Sequence, residues 1–253
     1  GLSTAIHLKQ RNPTKKVTVL ERGYLPTGAS TKNAGFSCIG SPSELLDDLN
    51  HTPESTVFET VKKRWQGLLY LRKLLGDDKI GYQTLGSHEL FTEEDSDIYK
   101  QCVEKLPYLN QQLEAITGIK EVFSIQNEIC LESNFNGFNY AINHTAEGQI
   151  NTGKMLESLL KLAHSKGVVM LNGIEAQKIE SNSLVTNFGN IGFQKIAICT
   201  NGFAKQFLPD EDVNPARAQV VVTSPINDLK VKGIFHFDKG YYYFRNVGNR
   251  ILL

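Results

Sequence analysis

Lys16-Val17-Thr18-Val19-Leu20-Glu21 is the stretch on which the fold turns. Its apolar, β-branched core reads as a buried strand that ends on a carboxylate. Upstream, Gly1 leads into residues 2–10, where Leu2, Ala5, Ile6 and Leu8 fall at helical spacing until Asn12-Pro13 breaks the pattern. A glycine at the head of a helix, with an acidic residue about 20 positions on at the tip of the next strand, is the spacing of a dinucleotide-binding βαβ unit. In that unit the last glycine of GxGxxG lets helix and sheet approach closely, and the carboxylate takes the ribose hydroxyls. The two earlier glycines are not in the chain, and a strand-ending Glu is usually just solvated, so this spacing alone leaves both readings open.

Working outward, residues 23–40 are rich in Gly, Ser, Thr and Asn and follow neither period, which marks a functional loop. Residues 43–75 carry apolar side chains at helical spacing over one or two helices, with Trp65 read as core. Residues 83–92 read as a strand or hairpin, residues 94–113 as a helix kinked or divided by Pro107, and residues 122–131 and 138–142 as strands. An amphipathic helix over 151–166 stops at Gly167. Short strands follow at 168–171, 176–179, 184–186, 195–199, 218–223 and 241–245. The chain opens on a helix and closes at Ile251-Leu252-Leu253 within a strand, so it reads as a piece of a longer protein.

Composition narrows the function. Lys+Arg and Asp+Glu number 27 each, and a formal charge of zero argues against nucleic-acid binding. With 40% hydrophobic residues, no aliphatic run long enough for a bilayer and no signal-peptide pattern, the chain reads as a soluble, cytoplasmic globular protein. Cys38, Cys102, Cys130 and Cys199 show no CxxC pair and read as reduced thiols. The six histidines show no metal-ligand spacing, and no GxSxG suggests hydrolysis.

Gly28-Ala29-Ser30-Thr31-Lys32-Asn33-Ala34-Gly35-Phe36 combines small residues with hydroxyl and amide groups. Such a loop lets backbone approach a planar or anionic ligand and supplies donors without bulk. The stretch resembles the "G-A-S-x-x-N-A-G" loop of the D-amino-acid-oxidase-like flavoproteins, which include glycine oxidase, sarcosine oxidase and the small subunit of D-amino acid dehydrogenase. Asn151–Leu156 with His164–Val168, then Gly173–Ile179, Ala197–Gly202 and Pro215–Val220, resemble further family stretches in the same order. Asn201 and Ala218 depart from the commonest family residues.

The resemblance implies an α/β fold, α+β overall, incomplete at both termini. A Rossmann-like FAD-binding domain, residues 1–80 and 145–215, would be interleaved with a substrate-side mixed β-sheet domain, residues 81–144 and 216–253. FAD is the implied cofactor. Its contacts would come from Gly1, Glu21, Arg22, Gly28, Ala29, Ser30, Thr31, Lys32, Asn33, Ala34, Gly35, Ala176, Thr200, Asn201 and Gly202. The implied activity is oxidation of the C–N bond of an amino acid or amine by hydride transfer to flavin, with oxygen or a quinone as final acceptor. Tyr242 is the candidate substrate tyrosine, and Arg245 and Arg217 are candidates for a substrate carboxylate or for sheet-edge salt bridges. Alternate tyrosines that merely cover a sheet explain Tyr242 equally well.

Two other readings stand beside this one. An NAD-dependent dehydrogenase would share the dinucleotide fold, but the Gly28–Gly35 loop speaks against it. A non-catalytic flavin-fold module for binding or assembly stays open, as does self-association into a homo-oligomer through exposed strand edges. Because the glycine turn before Gly1 is absent, residues 1–253 alone are expected to hold little FAD and to be inactive.

Overall fold

The computed structural model describes residues 1–216 and 218–253, so the candidate Arg217 lies outside the described residues. In chain order the elements begin with α1 (Leu2–Arg11), β1 (Thr18–Glu21), α2 (Pro42–His51), α3 (Glu54–Leu75), α4 (Asp77–Ile80) and β2 (Ser87–Phe91). Next come α5 (Ser96–Thr117), β3 (Phe123–Ile125), α6 (Glu128–Glu132), β4 (Tyr140–His144), α7 (Thr152–Ser165) and β5 (Val169–Asn172). The rest are β6 (Ala176–Ile179), β7 (Ser183–Thr186), β8 (Gly189–Gly192), a 3-10 helix (Asn201–Gln206), β9 (Ile234–Phe237), β10 (Tyr242–Val247) and β11 (Arg250–Leu252).

Two compact units share this chain. Unit 1 comprises residues 1–32 and 153–219, and unit 2 comprises residues 33–152 and 220–253. The mixed α/β class and the interleaving match the sequence expectation, but the boundaries differ. Residues 33–80 and 145–152 group with unit 2, because α2 and α3 pack on α5 and residues 146–151 bond to residues 35–37 and 80–83.

In unit 1, β1 and β5 pair in parallel from Thr18↔Val169 to Glu21↔Asn172. Ala5 and Ile6 of α1 and Ala163 of α7 bury against Val168, with Val17, Val19 and Met170 packed around them. Helix-on-parallel-strand packing is the layer that a dinucleotide-binding unit requires. β1 is half-exposed rather than buried, since β5 is its one ladder partner among the described residues. The second sheet of this unit is an antiparallel meander, β6-β7-β8. Residues 195–199, expected as a strand, join no sheet ladder among the described residues.

Unit 2 is built on a six-stranded sheet of order β11-β10-β9-β2-β4-β3, with β2 and β9 parallel and the other pairs antiparallel. Alternation along β2 and β4 sends Phe91 and Ile142 into a core with Leu45, Val57, Val61, Leu109 and Leu113 of the helices. Leu90 and Ala141 point the other way, into a cluster with Cys130, Phe235 and Phe244. Of the two expectations for Pro107, a kink or a division, division is excluded, since α5 runs unbroken through it. Its buried stripe of Tyr99, Cys102, Leu106, Leu109 and Leu113 continues on both sides of the proline, and that burial offsets an interior-proline cost of about 3 kcal/mol. Residues 128–132 form helix rather than strand, which turns Cys130 and Ile129 onto the aromatic cluster. Residues 221–223 bond to β11 through a single bridge and flanking backbone bonds instead of forming the expected strand.

β2 is buried along its whole length although three of its residues are polar. Two buried carboxylates explain how unit 2 tolerates this. Glu147 accepts the Ile39 N–H at 2.6 Å, the Gly40 N–H at 3.2 Å and the Ser87 hydroxyl at 2.6 Å. Glu89 accepts the N–H and the hydroxyl of Ser43. Together they strap residues 39–43, just after the Gly28–Gly35 loop, into the core.

Candidate flavin site

Unit 1 gathers most of the sequence-assigned cofactor residues around its strand and helix ends. α1 begins at Gly1 with neither a side-chain cap nor an acidic residue in its first turn, the arrangement that leaves a helix N-terminus suited to an anion. A Cβ built on Gly1 would meet the Cys199 Cβ at 3.7 Å, so the head of α1 lies beside the segment that enters Thr200. The Thr200 hydroxyl is buried without a partner among the described residues. Asn201 follows in the left-handed region at φ 48° and starts the 3-10 helix. A Cβ on Gly202 would press on Pro215 at 3.0 Å, so glycine is favoured there by close approach.

Glu21 ends β1 opposite Asn172. Its Oε1 accepts the Gly23 N–H at 2.8 Å, which fixes the side chain and leaves Oε2 to accept from a ligand. The neighbouring Arg22 guanidinium stands over the Phe203 ring, 5.0 Å from its centroid, and so ties the end of β1 to the turn after Thr200. Ala176 opens β6 at a bulge, and its carbonyl accepts the Gln206 side chain at 3.4 Å. The loop residues form their own turn: the Gly28 carbonyl accepts the N–H groups of Thr31 and Lys32 at 3.0 and 3.3 Å and the Thr31 hydroxyl at 3.0 Å. Nothing stands within 4 Å of a Cβ on Gly28, so the glycine faces open space. Ala29, Ser30 and Lys32 are exposed.

The other sequence-assigned residues belong to unit 2. Asn33 Oδ1 accepts the Gly35 N–H at 3.0 Å, a side-chain turn that closes over Ala34. Gly35 is buried with φ 73°, where a Cβ would clash with the Ile150 carbonyl. Phe36 packs edge-on against Tyr243 with ring centroids 5.2 Å apart.

β10 corrects one expectation directly. Tyr242 and Arg245 were assigned together, yet side chains alternate along a strand and place them on opposite faces. Tyr242 lies on the Phe244 face, stacked on Phe237 at 4.9 Å. Tyr243 shares the Arg245 face and touches the loop through Phe36. Tyr243, rather than Tyr242, is the tyrosine on the loop-facing side of β10, and counting by two from Arg245 finds it. Arg245 itself donates from Nη1 to the Ile150 carbonyl at 3.0 Å and reaches the Gly35 carbonyl at 3.5 Å.

A family model for FAD dependent oxidoreductases (DAO) matches residues 1–253. The chain belongs to this FAD-dependent oxidoreductase family. No curated protein matches it. Among solved structures, glycine oxidase from Geobacillus kaustophilus superposes with a TM-score of 0.70 at 20% identity, covering 100% of this chain and 67% of that one. L-proline dehydrogenase from P. horikoshii does so at 0.70 and 17% identity, covering 99% and 65%. L-alpha-glycerophosphate oxidase from Mycoplasma pneumoniae, with FAD bound, gives 0.70 and 17%, covering 100% and 67%. The chain thus spans about two thirds of the length of proteins that share its fold.

The residues present fit FAD. An uncapped helix start, an orphaned buried hydroxyl at Thr200 and a strand-end carboxylate with an open oxygen are an anion site, a donor and a diol acceptor within one unit. Among the described residues no group of His, Cys, Asp and Glu is arranged to hold a metal ion, and no helix is long and apolar enough to cross a membrane. All four cysteines are free.

Proposed function

We propose that the protein oxidises the C–N bond of an amino acid or amine with FAD as cofactor. The observation that carries this reading is the strand-end Glu21, followed by the Gly28–Gly35 loop, in a chain of the FAD-dependent oxidoreductase family. FAD, when bound, supplies the acceptor for the hydride that leaves the carbon next to nitrogen.

The chain's own residues divide the remaining work. Glu21 holds the ribose hydroxyls through Oε2, and the head of α1 takes the pyrophosphate. Thr200 donates its hydroxyl to the cofactor, and Gly28–Gly35 lies against it with small side chains. On unit 2, the Tyr243 hydroxyl binds a substrate carboxylate. Arg22 braces the Glu21 end of β1 by its contact with Phe203. Oxygen or a quinone would serve as the final electron acceptor.

Family membership removes the NAD-dependent alternative. A second reading, oxidation of a C–O bond, is favoured by the likeness to an L-alpha-glycerophosphate oxidase. Anaerobic addition of amino acids, amines and α-glycerophosphate to the FAD-loaded protein separates the readings. Loss of the oxidised flavin absorbance with an amino acid or amine supports the proposal. Loss with α-glycerophosphate alone moves the chemistry to carbon–oxygen. Flavin that no substrate reduces favours a non-catalytic binding module.

A further inference from the structure

Arg245 sits in the middle of β10 with its guanidinium half-buried, and its Nε is buried without a partner. Its Nη1 donates to the Ile150 carbonyl, and the Ile150 N–H in turn donates to the Gly35 carbonyl at 2.8 Å. Nη1 stands 3.3 Å from where a Cβ on Gly35 would lie. Three segments far apart in sequence therefore meet at one guanidinium: the Asn33–Gly35 turn, the residue pair before α7, and the centre of β10. Burial lowers the affinity of this group for its proton. With Nη1 spent on the Ile150 and Gly35 carbonyls, the guanidinium shapes that backbone.

We infer that Arg245 is a positioning residue that clasps Ile150 and Gly35 and so holds the Asn33-Ala34-Gly35 turn in its flavin-binding conformation. It does not bind the substrate carboxylate. The inference rests on the flavin reading of that loop. Its geometry explains the choice of residue: Nη1 of a planar fork serves two carbonyls at once, whereas a lysine ammonium at the end of a flexible stem is a point donor with no fixed plane. Gly35 completes the clasp, because a side chain there would force the turn off Ile150.

The test compares wild-type protein with Arg245→Met and Arg245→Lys in three measurements. These are FAD affinity, amide exchange at residues 35–37 and 150 in the absence of FAD, and KM for the reducing substrate at saturating FAD. Loss of the clasp is expected to weaken FAD binding about tenfold in Arg245→Met, the equivalent of one charge-assisted bond. Exchange at Ile150 and the turn should quicken, with KM unchanged and Arg245→Lys recovering part of the affinity. A general loss of structure would instead quicken exchange across the whole sheet. Unchanged FAD affinity and exchange together with a raised KM would overturn the inference and return Arg245 to the substrate. Should Arg245→Met not fold, Arg245→Lys decides: faster exchange confined to Ile150 and the turn supports the clasp, and wild-type exchange refutes it. If wild-type protein takes up no FAD, the flavin reading fails by itself, while the exchange comparison still decides whether the clasp exists.

Discussion

Unit 1 and unit 2 hold their candidate groups by different means. Unit 1 presents Glu21, Arg22 and the Gly28 turn at the ends of strands and in loops, half-buried or exposed. Unit 2 fixes its groups by burying polar and ionisable side chains: every buried polar or charged residue among the described ones except Thr186 lies there. The difference teaches where a substitution should register. Removing a group from unit 1 should cost ligand binding with little loss of fold. Removing one from the interior of unit 2 should cost the fold first, because a buried donor stripped of its acceptor has no water to replace it.

The largest effect expected on this comparison is Glu147→Ala. It would strip the acceptor from Ile39, Gly40 and Ser87 at once and destabilise the protein by about 3–5 kcal/mol in urea unfolding. Glu147→Gln, which keeps an acceptor oxygen, should cost less. A loss under about 1 kcal/mol for the alanine variant would break the contrast between the units.

Acidification should also act through unit 2. Burial holds the imidazoles of His144 and His88 below their ordinary range. Geometry agrees at His144, whose Nδ1 accepts the Ala146 N–H at 3.2 Å and so carries no proton. As pH falls through about 6.5 the unfolded imidazoles take up protons while the folded ones stay neutral, so these residues withdraw stability on acidification. Glu89 acts with the opposite sign. Its carboxyl is held above the usual range by burial, so the folded state gains its proton first and acid favours folding. The fall in Tm from about pH 7.5 to about pH 5.5 should shrink in His144→Gln, while Glu89→Gln removes a group that favours the fold as the pH falls. Equal slopes in all three proteins would show that the buried groups do not set the pH response.

The smallest effect sharpens the comparison within one strand. Tyr243→Phe should raise KM for a carboxylate substrate by about ten- to a hundredfold, the range of one hydrogen bond to a charged group. Tyr242→Phe should leave it unchanged, since its ring stacks on Phe237 on the other face. The reverse result would restore the assignment made from sequence.

How much was legible in advance follows from the same geometry. Glu21 could be placed because strand-end positions depend on distance along the chain, and the spacing from Gly1 carries that distance. The Gly28–Gly35 loop was visible through composition. The faces of β10 were open to counting by two, but three consecutive tyrosines hid which one stood beside Arg245. The roles of Glu89 and Glu147 were not legible. Each is held by partners at least 46 positions away, and no local pattern announces a carboxylate that closes a distant loop. Pro107 misled for the opposite reason: a local rule predicted a kink or a division, and tertiary burial along α5 outweighed the division. Residues 195–199 show the converse, an apolar run that joins no ladder among the described residues.

The most direct test of the central claim, that Glu21 holds FAD without acting on the substrate, is Glu21→Ala measured twice. FAD titration gives its affinity, and turnover at saturating FAD gives its activity with the substrate that reduces wild-type protein. The account predicts an affinity loss of about 1.5–3 kcal/mol, Tm without FAD close to wild type, and turnover nearly unchanged once FAD is saturating. Wild-type FAD affinity in Glu21→Ala, or a turnover that stays low at saturating FAD, would contradict it.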